Sequence, residues 1–234
     1  MRVVEAQFVT SAVDRSGIPS DGVPHIALVG RSNVGKSTLV NALAGRAIAR
    51  TSAAPGKTRL ANLYRVTVDG GPGGPGRWRV YFADLPGYGY ARGGRDSVVE
   101  LARIAAAYFQ IEGLEGRIEA IEETQPDGSS NPSRRSSVTS TYEIAGVLHL
   151  VDARHPGLDA DRDAHDWLAS LGVERVVVAT KIDKLSRVER ARSLEELKRG
   201  FGTAALPISA ARGEGLDDLW NLITRMARPM LRPR

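Results

Sequence analysis

Residues 30–37 read GRSNVGKS, and their place between an apolar run and a helical pattern constrains the fold more than any other feature of the chain. The run 25–29, bounded by Pro24 and Gly30, has the length of a strand buried on both faces. Residues 37–44 then place Leu39, Val40 and Leu43 at helical spacing, and Gly45 is a natural stop. A strand that turns through G-x-x-x-x-G-K-S into a helix aims backbone N–H groups and a helix N-terminus at one spot, which suits a chain of phosphates.

Five further apolar runs follow, at 63–68, 80–83, 146–151, 173–180 and 206–208, so six strands are expected. Helical patterns occur at 98–111, 161–171, 188–200 and 216–226. Alternation of this kind predicts an α/β protein with a six-stranded, mostly parallel sheet and helices on both faces. Ligands of such sheets sit beyond the carboxyl ends of the strands. Two stretches break the rhythm. GGPGGPG at 70–76 reads as a hairpin connection, because no helix follows it as a dinucleotide fingerprint would require. Residues 125–141, within an insertion at about 113–142, are rich in Ser, Thr, Pro and Gly and hold one valine as their only aliphatic residue. They carry too little apolar surface to offset the entropy of ordering, so disorder is expected there. The domain reading is a lead segment 1–23, a single nucleotide-binding domain 24–228 carrying both insertions, and a basic tail 229–234.

Three motifs at expected strand ends carry the chemistry. In the first loop, Gly30, Arg31, Ser32 and Asn33 lead into Val34 and Gly35, and their amides can curl around a β-phosphate. Lys36 can reach the β and γ oxygens, the Ser37 hydroxyl can ligate Mg²⁺, and Thr38 carries the helix on. Asp84 opens DLPG; its carboxylate can hold Mg²⁺ through water, while Leu85 and Pro86 lead to Gly87, whose amide can meet a γ-phosphate. That contact disappears on hydrolysis, so the segment would act as a switch. Thr180, Lys181, Ile182 and Asp183 form TKID at the end of a buried run. The Asp183 carboxylate can accept from N1–H and N2–H₂ of guanine, a pair that adenine lacks, with Lys181 lying along the base plane. Ser209 and Ala210, after the run 206–208, can supply a backbone N–H to the guanine carbonyl.

GRSNVGKSTLVNAL, PGKTRLANLY, DLPGYGYA, VDARHP, TKIDKL and the short ISA that begins at Ile208 follow one another between about Phe8 and Met226. With these the chain resembles the translation-factor-related GTPases, and within them the EngB (YsxC/YihA) family of ribosome-biogenesis GTP-binding proteins. The resemblance implies the three-layer P-loop GTPase fold, conversion of GTP to GDP and phosphate, and a requirement for Mg²⁺. It also implies a nucleotide-dependent switch in assembly of the large ribosomal subunit, linked to normal cell division and septation. The implied partners are that subunit and ribosomal RNA, and the implied state is a cytoplasmic monomer. By the same resemblance Gly56, Lys57 and Thr58 of PGKT belong to switch I, Thr58 joining Ser37 and Asp84 around Mg²⁺. Tyr88 stands where a Ras-type enzyme has its glutamine, and a phenol lacks the amide that orients water, so Lys36, Thr58 and Gly87 are left to support slow turnover. An asparagine at the position of Asn33 helps potassium-dependent relatives hold K⁺; shaping the loop is its other reading. Arg92 and Arg95 read either as solvated side chains or as fingers in cis. The family's brief connection from the switch II helix to the next strand is lengthened here by the insertion after Tyr108 and Phe109.

Composition excludes some classes. The 234 residues include no cysteine, which rules out disulfides, thiolate metal sites and a cysteine nucleophile and fits a reducing cytoplasm. No apolar run approaches the roughly 18 residues of a membrane span, and no signal-peptide pattern opens the chain. A net charge of +5 tilts towards a polyanionic partner, and Arg225, Arg228, Arg232 and Arg234 close the chain without an intervening acid. His25 and His149 fall at strand positions and read as core residues, while Asp152, Arg154 and His155 of DARHP read as a structural loop. Two other classes share the phosphate loop. A small-metabolite kinase is disfavoured by TKID and by the lack of an arginine-rich lid; a nucleotide-gated scaffold with negligible hydrolysis has the same motifs.

Overall fold

The computed structural model describes residues 1–12, 14–49, 61–70, 76–88, 108–109 and 143–231. Its strands are β1 (Arg2–Ala12), β2 (His25–Gly30), β3 (Ala61–Asp69), β4 (Arg77–Asp84), β5 (Ile144–Asp152), β6 (Arg175–Thr180) and β7 (Leu206–Pro207). Its described helices are α1 (Lys36–Ala44), α2 (Asp159–Ser170), α3 (Arg187–Phe201) and α4 (Leu216–Ala227). One sheet runs β1-β3-β4-β2-β5-β6-β7. The pairings of β2 with β4 and β5, of β5 with β6 and of β6 with β7 are parallel; β1–β3 and β3–β4 are antiparallel. The expected hairpin is therefore present, closed by the Gly70 N–H donating to the Gly76 carbonyl at 2.9 Å.

The expectation of six strands is corrected: the described residues form seven. The additional strand, β1, lies inside the stretch read as a lead segment and pairs along the edge of β3 from Arg2↔Asp69 to Ala12↔Ala61. Breaks in register between Val3 and Glu5 and between Phe8 and Thr10 interrupt its alternation and leave Val4 and Val9 41% and 36% exposed. A bulged edge strand shows no clean period of two, which is why its sequence does not announce it.

Central strands are apolar because both of their faces are covered, and every residue of β2 is buried. On one face Ile26, Leu28, Val80, Phe82, Leu148 and Leu150 pack with Leu39 and Leu43 of α1 and Trp220 and Ile223 of α4. On the other, Ala27, Val29, Ala83 and Val147 meet Ala164 and Leu168 of α2 together with Tyr88, Tyr108 and Phe109. A third cluster joins β5 and β6 to Leu197 and Phe201 of α3. Ser186 and Glu189 form a reciprocal capping box that starts α3. No described helix is long and apolar enough to cross a membrane. The expected helix at 98–111 lies outside the described residues except for Tyr108 and Phe109, which are helical; residues 71–75 and 125–141 lie outside them too.

Candidate functional site

The motif residues meet at the carboxyl end of the parallel strands, where β2, β4, β5 and β6 finish side by side. β2 ends at Gly30, and the chain curls back through Asn33 (φ 63°) and Gly35 (φ 112°) before α1 begins. The second of these angles suits only glycine. Gly35 is also the N-cap residue of α1 and has no side chain with which to cap it, so the first N–H groups of the helix face the loop. Inside the loop, the Lys36 ammonium donates to the carbonyls of Gly30 at 2.9 Å and Arg31 at 3.3 Å. Burial lowers the pKa of that ammonium, and the Asp84 carboxylate opposes the shift. The two charges answer each other: burial raises the pKa of Asp84, while Lys36 and the Ser37 hydroxyl hold it down. Ser37 Oγ donates to Asp84 Oδ2 at 2.7 Å, so the hydroxyl and the carboxylate singled out in the sequence are direct neighbours.

Beyond Asp84, the D-x-x-G segment lies against the loop. Ser32 donates from its backbone N–H to the Tyr88 carbonyl at 3.0 Å and from Oγ to the Gly87 carbonyl at 3.2 Å. A Cβ on Gly87 would fall 2.7 Å from Ser32 Cα and N and 2.9 Å from Lys36 Nζ, so only glycine tolerates this approach. Tyr88 turns inward: it is 2% exposed, and its hydroxyl contacts Asp161 and His149.

TKID closes the site from β6. Thr180 Oγ1 donates to the Val34 carbonyl at 2.9 Å, and Lys181, in the left-handed conformation (φ 61°), extends its ammonium to the Asn33 carbonyl at 2.6 Å. The same ammonium reaches Asp152 Oδ2 at 2.9 Å. Arg154 grips that carboxylate with Nε on Oδ1 at 2.9 Å and Nη2 on Oδ2 at 2.7 Å. Burial works against the Asp152 charge, yet the hydrogen bonds from Arg154 and Lys181 outweigh it and hold the carboxyl well below its usual range. Asp183 accepts from Ser209 Oγ at 2.8 Å, which lowers its pKa and fixes its orientation. Ser209 commits its backbone N–H to the Glu214 carbonyl at 2.9 Å, leaving the N–H of Ala210 as the candidate donor of that pair.

Residues of GKS, DLPG, TKID and ISA, read from four separate stretches, thus share one end of the sheet. Gly56, Lys57, Thr58, Arg92 and Arg95 lie outside the described residues. Sequence reasoning missed two carboxylates. Asp152 falls in the loop DARHP, yet it anchors Lys181; Asp161 opens the helical pattern 161–171, yet it contacts Tyr88 and Arg31. The VDA context at the end of β5 was the available signal for Asp152, and nothing local marked Asp161.

A strand–glycine loop–helix, a lysine held inside the loop and a second lysine bridging to it from the end of β6 define a P-loop GTPase. In agreement, the family model for 50S ribosome-binding GTPases matches residues 25–181. The chain is 34% identical over 228 residues to the GTP-binding protein EngB of Heliobacterium modesticaldum, covering 95% of this chain and 92% of that one. It is 36% identical over 231 residues to EngB of Anaeromyxobacter sp. strain K, covering 97% and 93%. Among solved structures it is similar to Era in complex with MgGDPNP and nucleotides 1506–1542 of 16S ribosomal RNA, with a TM-score of 0.57 and 26% identity over 87% of this chain and 56% of that one. The chain belongs to the EngB family of GTP-binding proteins.

Proposed function

We propose that this GTPase turns over GTP slowly and uses the bound nucleotide to gate its part in assembly of the large ribosomal subunit, with a consequent link to cell division and septation. The observation that carries the nucleotide reading is the Lys181 ammonium on the Asn33 carbonyl, which ties the base-reading segment to the phosphate loop at 2.6 Å. In this reading Gly30 to Ser37 cradle the α- and β-phosphates, Lys36 balances charge at the β and γ oxygens, Asp183 reads guanine and Ala210 N–H meets its carbonyl. A hydroxyl and a carboxylate 2.7 Å apart, both hard oxygen donors, fit Mg²⁺, which takes few protein ligands and completes its shell with phosphates and water. Ser37 would hold the ion directly and Asp84 through water, with Thr58 as the third group. Bound there, Mg²⁺ supplies charge neutralisation at the β and γ oxygens. K⁺ is an additional ion, held with help from Asn33.

Slow turnover follows from Tyr88. Its hydroxyl is committed to Asp161 and His149 in the core, and a phenol lacks the amide that would orient the nucleophile. The family description supports the 50S subunit as partner, and the bound ribosomal RNA of the Era structure supports an RNA contact. A cytoplasmic monomer is the corresponding state, and the domain takes in β1 and the Met230–Leu231 turn beyond the 24–228 read from the sequence. Sedimentation of the full chain with ribosomal subunits tests the partner. Cosedimentation with the large subunit is expected with a non-hydrolysable GTP analogue and much less with GDP; equal binding in both states would refute the gate.

A further inference from the structure

A buried polar chain runs beside the site through side chains given no part above in holding phosphate, Mg²⁺ or base. It starts at Arg31 in the phosphate loop, whose Nε donates to Asp161 Oδ1 at 3.2 Å. The Tyr88 hydroxyl donates to the same oxygen at 2.8 Å. His149 on β5 stands 3.0 Å from that hydroxyl through Nε2. A phenol has one proton, and here it goes to the carboxylate, so the His149 contact must be an Nε2–H donating to the phenol oxygen. His149 is neutral in this arrangement, consistent with complete burial, which lowers its pKa to about 3. The carboxylate itself is 0% exposed. Burial raises its pKa, and Arg31 and Tyr88 act in the opposite sense. A charge in such a place is costly without partners, and its two partners come from the phosphate loop and from the D-x-x-G segment, where the Tyr88 ring is seated in the core. The backbone repeats the connection, because Ser32 of the loop donates to the carbonyls of both Gly87 and Tyr88.

We propose that Asp161 is a positioning residue of the nucleotide cycle: one carboxylate oxygen holds the phosphate loop through Arg31 and the switch segment through Tyr88, so that loop and switch respond to the γ-phosphate as one unit. The proposal rests on reading the site as a GTP switch. Asp161 touches no nucleotide; it acts through the two groups it holds. Its consequence is energetic coupling. Arg31 and Tyr88 should influence the preference for GTP over GDP jointly, because their side chains share one carboxylate oxygen and their backbones are bridged beside it.

A double-mutant cycle on the full chain tests this, with fluorescent GDP and a fluorescent non-hydrolysable GTP analogue as ligands. Arg31→Lys withdraws the fork, and Tyr88→Phe removes the hydroxyl while keeping the ring in the core. Each is expected to lower the GTP-analogue to GDP affinity ratio by about fivefold or more, the size of a weak allosteric coupling. The double variant should be little worse than the worse single one, and in an Asp161→Asn background neither change should move the ratio further. A residue that only packs would shift thermal stability or both affinities together, not their ratio. Additive effects of the two changes in the otherwise wild-type chain would overturn the proposal, as would an Asp161→Asn protein with an unchanged ratio. Should Asp161→Asn fail to fold, the cycle between Arg31→Lys and Tyr88→Phe decides alone: non-additivity supports the pin and additivity removes it. Wild-type protein that bound neither guanine nucleotide would refute the switch reading itself, a result distinct from normal binding with additive effects.

Discussion

Asp183 is held by a hydroxyl from a different strand end, and that contact sets what can be asked of it. Ser209 Oγ fixes one carboxylate oxygen at 2.8 Å, so the carboxylate is oriented with its charge favoured. Replacing it in Asp183→Asn keeps the shape and swaps an acceptor for a donor. Guanine N–H groups then lose their partner, whereas the 2-oxo group of xanthine gains one. GTP affinity should fall by at least about 100-fold, because a buried polar pair is left unmatched, and XTP should become the better ligand in a competition assay. Unchanged GTP binding would remove Asp183 from base recognition. The buried histidines act at the same scale. Burial lowers His25 to about 4 and His149 to about 3, against an ordinary value of 6.5. The unfolded chain therefore takes up protons below pH 6.5 that the folded chain refuses. Stability is fully present above that pH and is lost as pH falls from 6.5 towards 4, by up to about 1.4 kcal/mol per pH unit for each histidine. Urea unfolding midpoints measured across this range should decline; a flat profile would show that both rings are protonated in the folded state.

Among the elements, β1 is the informative one. It covers the outer edge of β3 over nine residue pairs and buries Ala6 and Ala12; its Ser11–Ala12 end is level with Asp84 through Asn62, but none of the motif residues described above hydrogen-bonds to it. Removing residues 1–12 would strip the β3 ladder of its partner and leave an unpaired edge. Stability is expected to fall by a few kcal/mol, with aggregation on warming, while affinity for GDP at low temperature stays within a few-fold of the intact chain. Urea titration and nucleotide fluorescence on the same preparation distinguish these effects. Loss of GDP binding in a still folded protein would show that β1 supports the site and not only the sheet. α1 carries the opposite division of labour: Leu39, Val40 and Leu43 anchor it in the core, and its uncapped first turn is kept for the ligand.

For the molecule as a whole, the net charge of +5 bears on how a folded switch meets a large polyanion. Arg225 and Arg228 lie at the end of α4 and in the turn Arg228–Met230, and Met230 and Leu231 pack against the core after them. A truncation that tests the basic end must therefore stop after Leu231, so that the packing is kept and only Arg232, Pro233 and Arg234 are lost. Affinity for the large subunit should then drop, and the slope of log affinity against log salt should become shallower by about 1 to 2, since each phosphate contact releases condensed cations. GTP affinity should not change. A salt slope identical to that of the full chain would show that these arginines are merely solvated.

What the sequence by itself determined is the local chemistry. GRSNVGKS between a buried strand and a helix, DLPG after a second strand and TKID after a third each dictate a loop whose shape depends on neighbours within a few residues. The parallel strands were legible for a related reason: burial on both faces leaves an apolar run that needs no partner to be recognised. Tertiary structure alone decided the rest. β1 exists because β3 offers an edge far along the chain, 51 residues on where Ser11 meets Asn62, and its bulges hide the alternation that would have marked it. Asp152 meets Lys181 across 29 residues and Asp161 meets Arg31 across 130. On its helix, Asp161 belongs to the run DADRDAHD, in which nothing local separates one aspartate from the next until α2 is packed on the sheet and that one carboxylate is turned inward. A hydrogen bond is satisfied by whichever group the fold brings within about 3 Å, and the identity of that group is a property of topology that no local pattern encodes.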